Sequence, residues 1–430
     1  MTTEILIVDD NADIRNILNE LIVDAGYKTR VAANYNQALK EIDKKMPDVA
    51  ILDVKLDKGD NDGIELLSHI KSKNKGLTLI ELMIAMGLGL FLLAGAVQVL
   101  VSSKQTYQFN ENLTWMQENA RYAIGLLTKD IRMAGYWGCN NSSATIANTL
   151  NSGSGWYTDF GQDIRGYDGD QAAYPSGDFP VANVPALSSG SLPKSDVVII
   201  TRGDSSAEFL VTGHNPNAAV IDIDGSHPYT EGKILVISNC TKTAIFQTTG
   251  NNQIKFGHNT GSGAPGNCTK MFRFPVVCSN ANQPGNPAYD FDSDGQAKVM
   301  AAISNGYYID TASSGLPVLY RKYLNNDAGV DAEQLAQGIE SIQLTYGENL
   351  VAEGAENDDG SDNAANRYVT ADLVTSWDVV LSVKIHVLAR SITETASEPQ
   401  QFRFMGNDYI PKDNYLRQEF ISTVKIRNRG

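Results

Sequence analysis

The chain has 430 residues, with 35 Lys and Arg against 50 Asp and Glu and a formal net charge of −15. That balance excludes a general grip on nucleic acid by bulk charge, and no specific nucleic-acid partner is expected. The length accommodates two or three domains, and 42% hydrophobic residues with 37 glycines suit a β-rich region with long loops.

Residues 1–74 alternate strand and helix signals. Glu4–Val8 is a short apolar strand ending at Asp9-Asp10, and Asp13–Ala25 places Ile14, Ile17, Leu18, Leu21 and Ile22 on one helical face. Lys28–Val31 reads as a second strand, Gln37–Lys44 as a second helix and Val49–Leu52 as a third strand ending at Asp53. A loop, Val54–Asp62, leads to a third helix over Gly63–Lys73. This alternation predicts βαβ units and a parallel sheet. The runs Ile5-Leu6-Ile7-Val8-Asp9-Asp10, Ile51-Leu52-Asp53-Val54 and Asp62-Gly63-Ile64-Glu65-Leu66-Leu67 resemble the CheY-like receiver domain of bacterial response regulators. The resemblance implies that Asp9, Asp10 and Asp53 hold Mg²⁺ and that Asp53 accepts a phosphoryl group. Carboxylates at strand C-termini suit a cation that takes oxygen ligands. The pattern stops after the third helix, before the switch Ser/Thr and the lysine of a full receiver. A truncated α/β fragment with an open sheet edge is expected to be marginal and Asp53 vestigial. The abrupt change favours a joining of two gene fragments.

Lys75 and Gly76 form a basic flank to the apolar segment Leu77–Val101, 25 residues whose only charge is Glu81. At about 1.5 Å per residue such a helix covers about 37 Å, enough for a hydrocarbon core of about 30 Å. Lys71, Lys73 and Lys75 supply the positive-inside flank. Gly76-Leu77-Thr78-Leu79-Ile80-Glu81 resembles the processing site of type IV prepilins and pseudopilins. That resemblance implies peptidase cleavage between Gly76 and Leu77, methylation of the new amine, and a pairing of Glu81 with a neighbouring subunit's amine during assembly. Opposite charges in apolar surroundings each disfavour staying unpaired. A helix dipole alone also favours Glu81 at this end.

Residues 102–138 continue the helix as an amphipathic stalk. No proline occurs between Pro47 and Pro175, and Phe109, Leu113, Met116, Ala120, Ala123, Leu127, Ile131 and Ala134 step by three or four, with Gly135 as a stop. Gln117-Glu118-Asn119-Ala120-Arg121 and Asp130-Ile131-Arg132-Met133-Ala134-Gly135-Tyr136-Trp137-Gly138-Cys139 resemble the PilW family of type IV minor pilins, as do Trp377–Arg390 and Phe420–Gly430.

Residues 139–430 read as the exported domain. Asn140–Ser191 lacks a sustained period and reads as loop. Strand-like runs follow at Asp196–Thr201, Glu208–Thr212, Lys233–Ser238, Ala244–Thr248, Gln253–Phe256, Gly306–Asp310, Val318–Tyr323, Ile339–Tyr346, Val379–Leu388 and Phe420–Arg427, with a helical turn at Gln334–Gly338. The fold class expected is therefore α+β: a long pilin helix packed on an antiparallel β-rich domain, behind a truncated α/β receiver. Cys139, Cys240, Cys268 and Cys278 all follow the apolar segment and read as two disulfides in an oxidising periplasm. Three connectivities exist, and the ten-residue spacing favours a local clip between Cys268 and Cys278, leaving Cys139 for Cys240. Asp290, Asp292 and Asp294 resemble the start of a Ca²⁺ loop, but the twelfth position is Ala301 rather than glutamate. His69, His214, His227, His258 and His386 are scattered, and no HExxH, GxSxG or P-loop motif occurs, so no enzyme is expected and no cofactor is required.

The resemblances together imply a PilW-like minor pilin, single-pass in the bacterial inner membrane, with a periplasmic C-terminal domain and the first 76 residues cytoplasmic, later incorporated in the pilus. Expected partners are minor and major pilins, the prepilin peptidase, the inner-membrane assembly machinery and membrane lipid. The alternatives are a membrane-tethered signalling protein phosphorylated at Asp53 and a minor pseudopilin of type II secretion.

Overall fold

A computed structural model describes residues 3–57, 59, 61–73, 79–139, 146–151, 155–180, 184–250, 252–261, 263–279, 286–291, 295–325, 329–350 and 364–429. The chain forms two compact units, Met1–Gln108 and Phe109–Gly430. The fold is α+β: an α/β receiver-like segment, one long apolar helix, then a β-rich region.

In the first unit β1 (Glu4–Val8) lies between β2 (Lys28–Ala32) and β3 (Val49–Leu52), all parallel. Three helices intervene or follow: α1 (Ala12–Asp24), α2 (Tyr35–Lys44) and α3 (Asp62–Lys73). Asn11 and Asn34 start α1 and α2 by accepting backbone N–H groups on their side chains. Gly26, at φ +87°, ends α1 where a left-handed residue is needed. The two-residue period of β1 divides its side chains between two cores. Leu6 and Val8 pack with Ala38, Ile42 and Leu66, whereas Ile5 and Ile7 pack with Ile22 of α1. Among the described residues β3 has no strand beyond it, so it forms an edge of the sheet.

The long helix α4 spans Leu79–Met133. It is the one described helix long and apolar enough to cross a membrane, and its most apolar window has a mean hydropathy of 2.3.

In the second unit a large mixed sheet contains β6 (Val197–Asn215), β8 (Ile234–Ser238), β9 (Thr243–Gln247), β11 (Lys298–Thr311), β12 (Pro317–Leu324) and β13 (Val330–Gln337). A four-stranded antiparallel sheet contains β14 (Ile339–Glu348), β16 (Val380–Arg390) and the edge strand β19 (Arg417–Lys425). Met116, Ala120, Ala123, Leu127, Ile131 and Ala134 of α4 enter one core with Ile200, Tyr307, Ile339, Leu344, Val383 and Val387 from both sheets. Phe109 is 40% exposed and stands outside that stripe. Small alanines in the middle of the stripe let the helix approach the sheets closely.

Three local expectations are corrected. Gln334–Gly338 is not a helical turn: Gln334–Gln337 belong to β13, paired with β12, and Gly338 turns the chain at φ +74°. The runs at Asp196–Thr201 and Glu208–Thr212 are parts of one 19-residue strand, because the polar residues between them still pair with β11 as far as Gly203. The stretch read as loop holds short strands at Ile146–Asn148 and Ile164–Tyr167, paired with β9 and β6.

Candidate functional site

The first candidate is the acidic cluster of the receiver segment. Val8 and Leu52 are register partners, and Asp53 N–H donates to Val8 O at 2.9 Å, so β1 and β3 release Asp9 and Asp53 side by side. Ligand oxygens of Asp9, Asp10 and Asp53 all lie within 4.8 Å of one another. Gly63 makes the geometry attainable: a Cβ there would stand 1.9 Å from the Asp53 carbonyl oxygen, so only glycine lets α3 begin so close. Asp9 accepts the Asn11 N–H at 2.8 Å, and Arg15 clamps the Asp9 carbonyl at 2.7 Å. Burial pushes the Asp9 carboxyl above its ordinary range; the Asn11 N–H opposes this, and the Asp53 and Asp10 charges add to it. Three crowded acids of this kind fit a hard divalent cation with several retained waters, as Mg²⁺ prefers. Asp290 belongs to the described residues, whereas Asp292 and Asp294 of the Ca²⁺ pattern lie outside them.

The second candidate is α4. Gly76, Leu77 and the side chain of Glu81 lie outside the described residues. From Leu82 onward the first part of the helix presents a wide apolar surface, with Met83, Leu90, Phe91 and Leu100 each more than 60% exposed. Its last turns are seated by a buried acid, the first residue of the Asp130–Cys139 motif, which the sequence did not single out as a site residue. Asp130, 4% exposed, accepts from Asn305 Nδ2 at 2.5 Å, Tyr307 Oη at 2.6 Å and Arg202 Nη2 at 3.0 Å. An acid three residues from Leu127, on the face of the apolar stripe, is the signal that marks it. The helix end is closed by the C-terminal segment. Arg427 N–H donates to Arg132 O at 3.1 Å, and Asn428 Nδ2 to Ala134 O at 3.1 Å. These contacts satisfy carbonyls that a helix terminus leaves without partners. Arg429 meets Asp163 at 3.3 Å, and Asp163 also accepts Trp137 Nε1 at 2.9 Å.

Two disulfides flank this region. Cys139, just past the helix, joins Cys240 after β8, and Cys268 joins Cys278 within its own loop.

Residues 306–428 match the family model described as Type IV Pilus-assembly protein W. The chain carries a PilW segment. The matched stretch holds β12 to β14, β16 and β19, the strands on which the stalk half of α4 sits, and is narrower than the span from Gln117 to Gly430 bounded by the segments that resemble the family. Ahead of the PilW segment, residues 5–86 match the response regulator receiver domain, running past residue 74 into the apolar helix. The receiver segment is 42% identical over 80 residues to Sporulation initiation phosphotransferase F of Bacillus subtilis, covering 19% of this chain and 63% of that one. It is 43% identical over 70 residues to a putative NtrX-like response regulator of Rickettsia bellii, covering 16% of this chain and 15% of that one. The chain thus spans between 15% and 63% of the length of these two curated relatives. Among solved structures, a CheY-like receiver domain protein from Methanospirillum hungatei aligns at TM-score 0.17 and 23% identity, over 21% of this chain and 77% of that one.

Proposed function

We propose that the chain is a PilW-like minor pilin that takes part in assembling or priming a type IV pilus. The observation carrying this reading is one helix with two different halves: an apolar stretch suited to a bilayer, and a stalk buried in the sheets of a PilW segment. On this reading the peptidase cuts between Gly76 and Leu77, Leu77–Val101 anchors the subunit in the inner membrane, and the β-rich unit stands in the periplasm, where its disulfides persist. Glu81 sets register by meeting the free amine of a neighbouring pilin. The protein acts as a structural subunit with pilin and assembly-machinery partners, without catalysis of its own. N-terminal sequencing of the membrane and pilus fractions tests it. A mature chain starting at Leu77 is expected, with loss of filament entry in Glu81→Ala; an intact Met1 in assembled material would overturn the reading.

The crowding of Asp9, Asp10 and Asp53 favours one second reading, phosphorylation at Asp53 with Mg²⁺ as the bound cation. A small phosphodonor should then label the native chain and not Asp53→Asn. No label in the native chain leaves the cluster a vestige.

A further inference from the structure

The receiver segment holds a contact that neither reading uses. The Ile5 and Ile7 face of its sheet is covered on one side by Ile22 of α1, and it is also covered by Leu92 and Leu88 of the apolar helix. Leu92 is 8% exposed while its neighbours Phe91 and Leu93 are 67% and 62% exposed, so the contact selects one stripe of the helix. Gly95 continues that stripe one turn on, where a Cβ would stand 3.9 Å from Leu21 Cδ1. Positions 88, 92 and 95 share a face at helical spacing, and a sheet surface of Val49 and Ile51 completes the patch.

This contact and a bilayer exclude each other. Leu92 stands about 20 Å along the helix from Leu79, where the described helix begins, at about 1.5 Å per residue, deep within a hydrocarbon core of about 30 Å. α1, which shares the contact, carries Asp13, Arg15, Glu20 and Asp24. Side chains of that kind are not carried to mid-bilayer without partners. We propose that the receiver segment is an intramolecular mask for the membrane anchor: its Ile5–Ile7–Ile22 face holds the Leu88–Leu92–Gly95 stripe before insertion and releases it to the lipid. The proposal rests on Leu77–Val101 being the spanning segment. Retention of half a receiver follows, since one apolar sheet face is all the mask uses. Release strips that face of its cover, so the receiver segment loosens when the anchor inserts.

The test uses the full chain made by cell-free synthesis with Leu92→photo-leucine or, as control, Leu93→photo-leucine. Each is irradiated with and without vesicles of phosphatidylethanolamine and phosphatidylglycerol, and insertion is scored separately by alkaline extraction. Without vesicles the probe at 92 should cross-link to residues 3–73 and the probe at 93 should not. In the extraction-resistant fraction the cross-link from 92 should fall by about tenfold or more, as for the minor state of a two-state pair, and the label should pass to lipid. Limited proteolysis should then cut residues 3–73 faster in the inserted chain. Equal labelling from both positions would overturn the mask, as would a cross-link from 92 that survives in the inserted fraction. A chain that cross-links from 92 but never resists extraction keeps the contact, yet removes the spanning reading and the release with it.

Discussion

Replacing Asp130 by alanine tests how the stalk is seated. The carboxylate is 4% exposed and serves three donors: Asn305, Tyr307 and Arg202. Tyr307 and Asn305 are 1% and 4% exposed, so neither finds water when the acceptor goes. The Arg202 side chain, 13% exposed, is left as a nearly buried charge. Breaking a buried pair by removing one partner costs about 3–5 kcal/mol, a large part of the 5–15 kcal/mol typical of whole domains. All four tryptophans, Trp115, Trp137, Trp156 and Trp377, lie beyond Phe109, so urea unfolding followed by tryptophan fluorescence reads the β-rich unit alone. Asp130→Ala should lower its unfolding free energy by about 3–5 kcal/mol, and Asp130→Leu with Arg202→Met should lose clearly less because no charge is stranded. A loss below about 1 kcal/mol in Asp130→Ala, the size of an exposed ion pair, would refute the seating argument.

Other consequences are open to the same assay. His258 is buried and stacks on Phe272 at 4.2 Å; burial first, and His214 beside it, lower its pKa to about 3. The unfolded chain then binds the extra proton between about pH 6.5 and 3, so stability present above pH 6.5 should drop by up to about 1.4 kcal/mol per pH unit as pH falls through that window. His258→Phe should remove that part of the slope; an unchanged slope would disprove the assignment. Breaking Cys139–Cys240, which closes 101 residues, should cost about 2 kcal/mol more than breaking Cys268–Cys278, which closes 10, by loop entropy alone. Paired Cys→Ser variants compared in urea check this, and equal losses would contradict it. Gly338→Ala puts a Cβ 2.7 Å from both Arg390 O and Trp115 Cζ3 at φ +74°, so a loss of about 1–3 kcal/mol is expected, against near neutrality if the turn can adjust.

The sequence carried the helices and the central strands well because their burial patterns are local. The spacing from Met116 to Ala134 is a helical stripe whatever it packs on, and the period of Ile5 to Val8 already separates two faces. Long strands were harder to bound. Arg202–Ala207 is polar and looks like a turn, yet β6 runs through it: pairing with β11 stops at Gly203, a bulge takes up Asp204–Ala207, and the ladder resumes at Glu208. Gln334–Gln337 gives no alternating apolar signal because, among the described residues, β13 pairs with β12 only and leaves most of its side chains at least partly at the surface. The acidic cluster was legible through its motif, since each acid follows an apolar strand. Asp130 was not, because its partners Arg202, Asn305 and Tyr307 lie 72 to 177 residues away and only the fold brings them together.

The closure of the stalk by Arg427 and Asn428 has a bearing on timing. The groups that quiet the end of α4 are made 295 residues after the helix itself, as the separation of Asn428 from Met133 records. While the ribosome works through the intervening strands, the stalk's buried stripe has neither its lid nor most of its bed. The β-rich unit therefore cannot finish folding until its last residues emerge, and the apolar stripe stays bare until then.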